Sequence, residues 1–151
     1  MGEPAGPLVL TDQYDHGWQL SDLRGSVVVL IDGDREGSKF NGAWGRAVRD
    51  RYKDAGSEEL KIAYVAHLTA APSFMRGFVK GKFISKDSTH PSGRTLLDWK
   101  GIVAQKFGFR DNVSNVYVID REGVLRYAGS GQAASGELEL LFGALDGLLR
   151  R

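Results

Sequence analysis

Apolar residues in this chain follow two rhythms, continuous runs that suit strands and three- or four-residue spacings that suit helices. Val27-Val28-Val29-Leu30-Ile31 is apolar at every position, so it predicts a central strand covered on both faces. Phe40, Trp44, Val48 and Tyr52 recur every fourth residue. They predict a helix that opens at Ser38 or a neighbour and ends near Tyr52. Leu60 to Ala66 predicts a second strand, and Pro72 to Lys80 a second helix with Pro72 in its first turn. Trp99, Ile102, Val103 and Phe107 mark a short helix stopped by Gly108. Val116 to Ile119 and Val124 to Tyr127 flank Asp120-Arg121-Glu122-Gly123 and predict an antiparallel hairpin. Leu138, Leu141, Phe142, Leu145 and Leu148 give a C-terminal amphipathic helix.

Between these lie weaker signals. Pro7 to Leu10 is a short apolar run, Asp12 to Gly17 a turn, and Ser21 to Gly25 a brief helical turn ended by glycine. Phe83-Ile84 and Leu96-Leu97 are apolar pairs on either side of a loop by composition, Asp87 to Gly93. Early alternation of strand and helix implies parallel pairing through right-handed crossovers, and the late hairpin adds antiparallel strands. The expectation is one domain over residues 1–151. It is an α/β fold, a mixed central sheet flanked by helices, with a C-terminal β-hairpin and helix.

Composition narrows function by exclusion. Hydrophobic residues at 42% and charged residues at 26% describe an ordinary soluble globular chain. A net charge of +1 gives no general attraction to nucleic acid or membrane, which leaves only a local basic patch. No apolar stretch reaches the ~18 residues that span a bilayer. Met1 to Gly6 lacks the charged and apolar regions of a signal peptide, and a removed leader would leave no trace, so cytoplasm and export both stay open. The chain has no cysteine, which removes disulfides, thiolate nucleophiles and thiolate metal sites together.

Two blocks carry a resemblance. Leu20-Ser21-Asp22-Leu23-Arg24-Gly25-Ser26-Val27-Val28-Val29-Leu30 resembles the "L-x-D-L-R-G-K-x-V-V-L" entry to the first central strand of the redoxin branch of the thioredoxin superfamily, which holds alkyl hydroperoxide reductase-type peroxiredoxins and TlpA-like oxidoreductases. Ala104 to Phe109, followed by Ser114 to Tyr127, resembles that family's "Y-G-V … P-T-x-F-x-I-D-x-x-G-x-I-R-Y". The resemblance runs over roughly Leu8 to Leu149 and implies a thioredoxin-like fold. It also implies a groove between the loop Asp32 to Phe40 and the loop Asn112 to Asn115. Laid over the pattern, Gly37, Ser38, Lys39 and Phe40 stand where a C-x-x-C pair would sit, and Ser114 stands at the family's cis-proline. Serine there predicts a trans peptide, because a non-proline cis bond costs ~2.5–4 kcal/mol. Peroxidase, disulfide reductase and isomerase chemistry are excluded with the thiols.

What remains at that loop is a helix N-terminus with its unpaired N–H groups. Gly33 and Gly37 permit close backbone approach, while Arg35 and Lys39 add charge; a small anion is one possible guest. The plainer reading has Ser38 capping the helix, Asp34 and Glu36 complementing the dipole, and Arg35 and Lys39 in solvent. A Walker A loop is excluded, since Ser38 replaces its second glycine and Phe40 its magnesium hydroxyl. Asp32-Gly33-Asp34 looks like the D-x-D signature of haloacid dehalogenase-type phosphatases, but no adjacent Asp-Asp pair follows. His67 follows the second strand at its carboxyl end, where Asp32 or Asp34 would offer a carboxylate partner. His16 and His90 lie in turns or loops.

Trp44 and Trp99 fit buried helix faces, and Trp18 near a turn is expected to be the most exposed tryptophan. Phe74, Phe78 and Phe83 interleave with Arg76, Lys80, Lys82 and Lys86, a mixture that binds single strands in some proteins. The spacing of Phe74 and Phe78 suits a buried face, with the lysines solvated. The expected function is a redox-inactive binding module with a protein or peptide partner, using Gly33, Arg35, Gly37, Ser38, Lys39, Val113 and Ser114. No cofactor, metal, nucleic acid or membrane partner is expected. The alternative is a carboxylate- or metal-based enzyme, phosphatase-like, on Asp32, Asp34 and His67.

Overall fold

A computed structural model describes residues 2–85 and 94–149. His90 and the loop Asp87 to Gly93 lie outside the described residues. Strand β3, Val27–Gly33, is buried at all seven positions. It pairs in parallel with β4, Leu60–His67, and antiparallel with β6, Ser114–Ile119. Beyond β4 comes β5, Thr95–Asp98, and then an antiparallel β1, Val9–Asp12, with β2, Gly17–Gln19, at the edge. On the other side β6 pairs with β7, Leu125–Gly131, so the sheet runs β2-β1-β5-β4-β3-β6-β7.

Alternation along β3 builds two cores. Val27, Val29 and Ile31 meet Trp44, Val48, Leu141 and Leu145 from helices α1, Asn41–Arg51, and α4, Ser135–Leu149. Val28 and Leu30 meet Leu8, Leu20, Val65, Leu96, Val103 and Tyr117, with Val103 supplied by α3, Ile102–Phe107. Each such side chain taken fully out of water contributes ~1.5–3 kcal/mol. Helix α2, Arg76–Ser85, contributes no buried residue to either core.

Several expectations are corrected. Leu96-Leu97 is the middle of strand β5, whose four residues are all buried and pair with β4, with Leu96 and Leu97 also paired to β1. Leu10 belongs to β1, held by its hairpin with β2 across the Asp12 to Gly17 turn. Phe83 and Ile84 extend α2 instead of standing apart. Trp18 is buried in the core, while Trp99 is only half-buried beneath the Arg76 guanidinium, 5.1 Å from its ring. Phe74 and Phe78 point outward, 84% and 61% exposed, because α3 and the N-terminal segment already cover that core.

Candidate functional site: the loop after strand β3

The loop that follows β3 is held by one carboxylate. Asp34 Oδ1 accepts the Gly37 N–H at 2.8 Å, and Asp34 Oδ2 accepts the Asn112 N–H at 2.8 Å. The same side chain therefore closes its own turn and ties it to a loop 78 residues away. Ser38 N–H bonds Asp34 O at 2.8 Å, and a 3-10 turn, Gly37–Phe40, leads into α1. Ser38 does not cap that helix: its hydroxyl lies 3.2 Å from Arg35 O, and α1 has no side-chain cap. Asp34 instead satisfies the first N–H of the 3-10 turn, at Gly37, a donor that would otherwise be open to a small anion.

The glycines serve chain against chain. A Cβ at Gly37 would stand 2.2 Å from Val113 O, and one at Gly33 would stand 2.7 Å from Ser38 N. The position that the resemblance lays over a first redox cysteine is thus closed by the Val113 backbone. Ser114 is fully buried; its hydroxyl donates to Asn41 Oδ1 at 2.5 Å and lies 3.2 Å from Gly37 O. No peptide bond is cis among the described residues, so Ser114 follows a trans bond. Asn115 shapes the opposing loop, accepting from Arg110 N at 2.9 Å and donating to the Arg110 and Val113 carbonyls at 3.0 and 3.1 Å. Asn112 sits left-handed, at φ 67°, to present its N–H to Asp34. Only Arg35, Ser38 and Lys39 of the expected set are exposed; Val113 is half-buried, and Gly33, Gly37 and Ser114 are inside. Lys39 pairs with Glu36 at 2.9 Å in solvent, where such a pair is worth little.

Beneath the loop lies a second polar group. Alternation places Asp32 on the face of Val28 and Leu30, where it is completely buried, and neither oxygen has a hydrogen-bond partner among the described residues. Burial pushes its carboxyl well above the usual range, and the charge of Asp98 adds to that. The Gly33 N–H, outside hydrogen-bonding geometry, opposes the shift only in part. Asp98 spends its own oxygens on the Ile102 and Val103 N–H groups, at 2.8 and 3.0 Å, and so starts α3. His67 ends β4 beside Asp98 in the register. Its Nε2 is 3.0 Å from Thr69 Oγ1, its ring stacks on Phe109 at 4.3 Å, and its buried Nδ1 has no partner among the described residues. Tyr117 donates to Gly108 O, and burial together with Asp32 raises its phenol.

No hydrogen bond or ion pair joins Asp32, Asp34 and His67, and no group of metal-ligating side chains forms among the described residues. Sequence reasoning missed the roles of Asn115 and Asp98. Their partners are backbone groups whose placement only the fold decides. A surface hollow of about 430 Å³ lies elsewhere, lined by Arg49, Tyr52, Leu60 and Tyr64.

No family model matches this chain, and no curated protein matches it. Solved structures do. A Chlorobium tepidum protein named as a thiol:disulfide interchange protein of the DsbE type shares 20% identity and superposes with a TM-score of 0.72, over 98% of this chain and 96% of its own. The exposed lipoprotein thioredoxin Etrx1 of Streptococcus pneumoniae shares 18% identity at a TM-score of 0.65, over 93% and 99%. The thioredoxin domain of a thiol-disulfide oxidoreductase from Bacteroides vulgatus shares 14% at 0.62, over 95% and 96%. The chain has a thioredoxin-like fold, and it carries no cysteine with which to perform thiol exchange.

Proposed function

We propose that this chain is a redox-inactive thioredoxin-fold module that binds an extended protein or peptide segment across the loop face of residues 34–40 and 112–114. The observation that carries the reading is the Asp34 carboxylate, bonded at once to Gly37 N and Asn112 N. Where a thiol pair would sit, the chain spends a side chain on fixing two loops against each other. A surface ordered before it binds loses less entropy on association. Arg35, Ser38 and Lys39 stand exposed on that rigid frame, where their side chains can meet an extended ligand.

The carboxylate-enzyme alternative has less support. Its nucleophile, Asp32, is sealed in the core and favours the neutral form, and Asp34 is already bonded through both oxygens. Selection of displayed random peptides on the purified protein tests the proposal. Selected peptides are expected to bind Arg35→Glu and Lys39→Glu about tenfold more weakly, the equivalent of ~1.4 kcal/mol. Unchanged affinity in both variants would overturn it. A divalent metal that raises the unfolding temperature, and loses that effect in Asp32→Asn, would move the assignment to the enzyme.

A further inference from the structure

Helix α2 presents an aromatic stripe to solvent instead of to the sheet. Phe74, just ahead of the helix, is 84% exposed, Phe78 one turn on is 61% exposed, and Ile84 is 44% exposed. Gly77 and Gly81 lie on the same stripe, with nothing within 4 Å of where a Cβ would stand, so the face between the rings is open. Isolated apolar residues on a surface are ordinary, but a contiguous set on one helix face marks a contact site.

The charge carried by this segment itself is basic. From Leu68 to Ser85 the chain has no acidic residue, while Arg76, Lys80 and Lys82 are basic. Lys82 Nζ sits 5.0 Å from the centre of the Phe78 ring, and the Arg76 guanidinium sits over Trp99. Lys80 reaches Asp15 at 2.9 Å, the one acidic contact of the three among the described residues, and Asp15 is itself largely in solvent. The chain-wide charge of +1 conceals this local excess.

We propose that this face of α2 is a peripheral contact site for an anionic lipid surface. The projection of the rings into solvent and the basic charge beside them select that occupant. A folded partner would have to supply a matching cleft, whereas the boundary between headgroups and acyl chains deforms around projecting phenyl rings. Lysines at the margin of the rings keep their ammonium groups at headgroup level while their stems lie along the apolar surface. The contact is superficial: among the described residues no helix is long and apolar enough to cross a membrane. It also lies on elements separate from the loop after β3, so it stands or falls independently of peptide binding.

Co-sedimentation with phosphatidylcholine vesicles, with and without phosphatidylglycerol, tests this on the full chain. Binding is expected to be about tenfold stronger with phosphatidylglycerol and to weaken as salt rises. Phe74→Ser with Phe78→Ser is expected to lose at least about tenfold while unfolding at the same temperature, since both rings are already in water. Phe74→Trp should show a blue-shifted emission on anionic vesicles that brominated lipid quenches. Equal binding to both vesicle types, or full binding by the double serine variant, overturns the proposal. So does concentration-dependent self-association or single-stranded DNA binding that the double variant abolishes in the absence of vesicle binding, because either one identifies a different occupant.

Discussion

Asp32 and Asp34 stand two residues apart at the end of one strand, and their surroundings are opposite. Asp32 is still in β3, facing the apolar core, with no hydrogen-bond partner among the described residues. Asp34 has left the strand and satisfies two backbone N–H groups from two different loops. Chemically identical side chains thus become a destabilising buried acid and a structural tie. A D-x-D pattern read as a pair assigns both to one reaction, but the strand's alternation and its end point separate them. The thioredoxin-like fold keeps its loop geometry here through Asp34 and through glycine-to-backbone contact.

The comparison is sharpest at Gly37. Gly37→Cys, the substitution that would begin to restore a thiol pair, is expected to cost about 3 kcal/mol in denaturant unfolding, at the upper end of overpacking effects, because its Cβ meets the Val113 carbonyl. Asp34→Ala comes next, at about 2 kcal/mol, since it leaves the Gly37 and Asn112 amides to water. It should also accelerate hydrogen exchange at those two amides. Asp32→Leu has the opposite sign, a gain of about 1–2 kcal/mol from removing an unpaired buried polar group.

The pH dependence separates the acids further. The folded protein holds the Asp32 proton more tightly than the unfolded chain does. Its contribution is therefore intact below the unfolded carboxylate value of ~3.9, and is lost as pH climbs from there to the raised folded value. Asp32→Asn should flatten that decline. Asp12 and Asp120 behave in the reverse sense. Burial pushes each upward but is outweighed, for Asp12 by the His16 and Tyr14 amides with Arg94, and for Asp120 by Arg126 with the Val124 and Glu122 amides. Their stabilisation is present above ~3.9 and fades as pH falls through their lowered folded values. The smallest effect is expected at Phe74→Ser, within about 0.5 kcal/mol, because the ring is already in solvent.

Residues with strong local signals were legible. The run Val27 to Ile31 shows a doubly covered strand, the fourfold spacing of Trp44 and Val48 a packed helix, and Asp120 to Gly123 a hairpin turn. β5 was not legible, because four residues carry no period and its strand character comes from β1 and β4 on either side. Helical spacing at Phe74 and Phe78 correctly gives a face but not its direction; the core beneath was already filled. At the site, an aspartate three residues before a glycine suggests a local turn, but nothing in sequence joins Asp34 to Asn112.

The most direct test of the central claim is amide chemical-shift mapping of the labelled protein during titration with a peptide selected on it. The account predicts perturbations centred on residues 35–39 and 112–114, with Gly37 and Asn112 protected in both free and bound states. Perturbations confined to other surfaces, or rapid exchange at Gly37 and Asn112 in the free protein, would contradict a fixed recognition face built on Asp34.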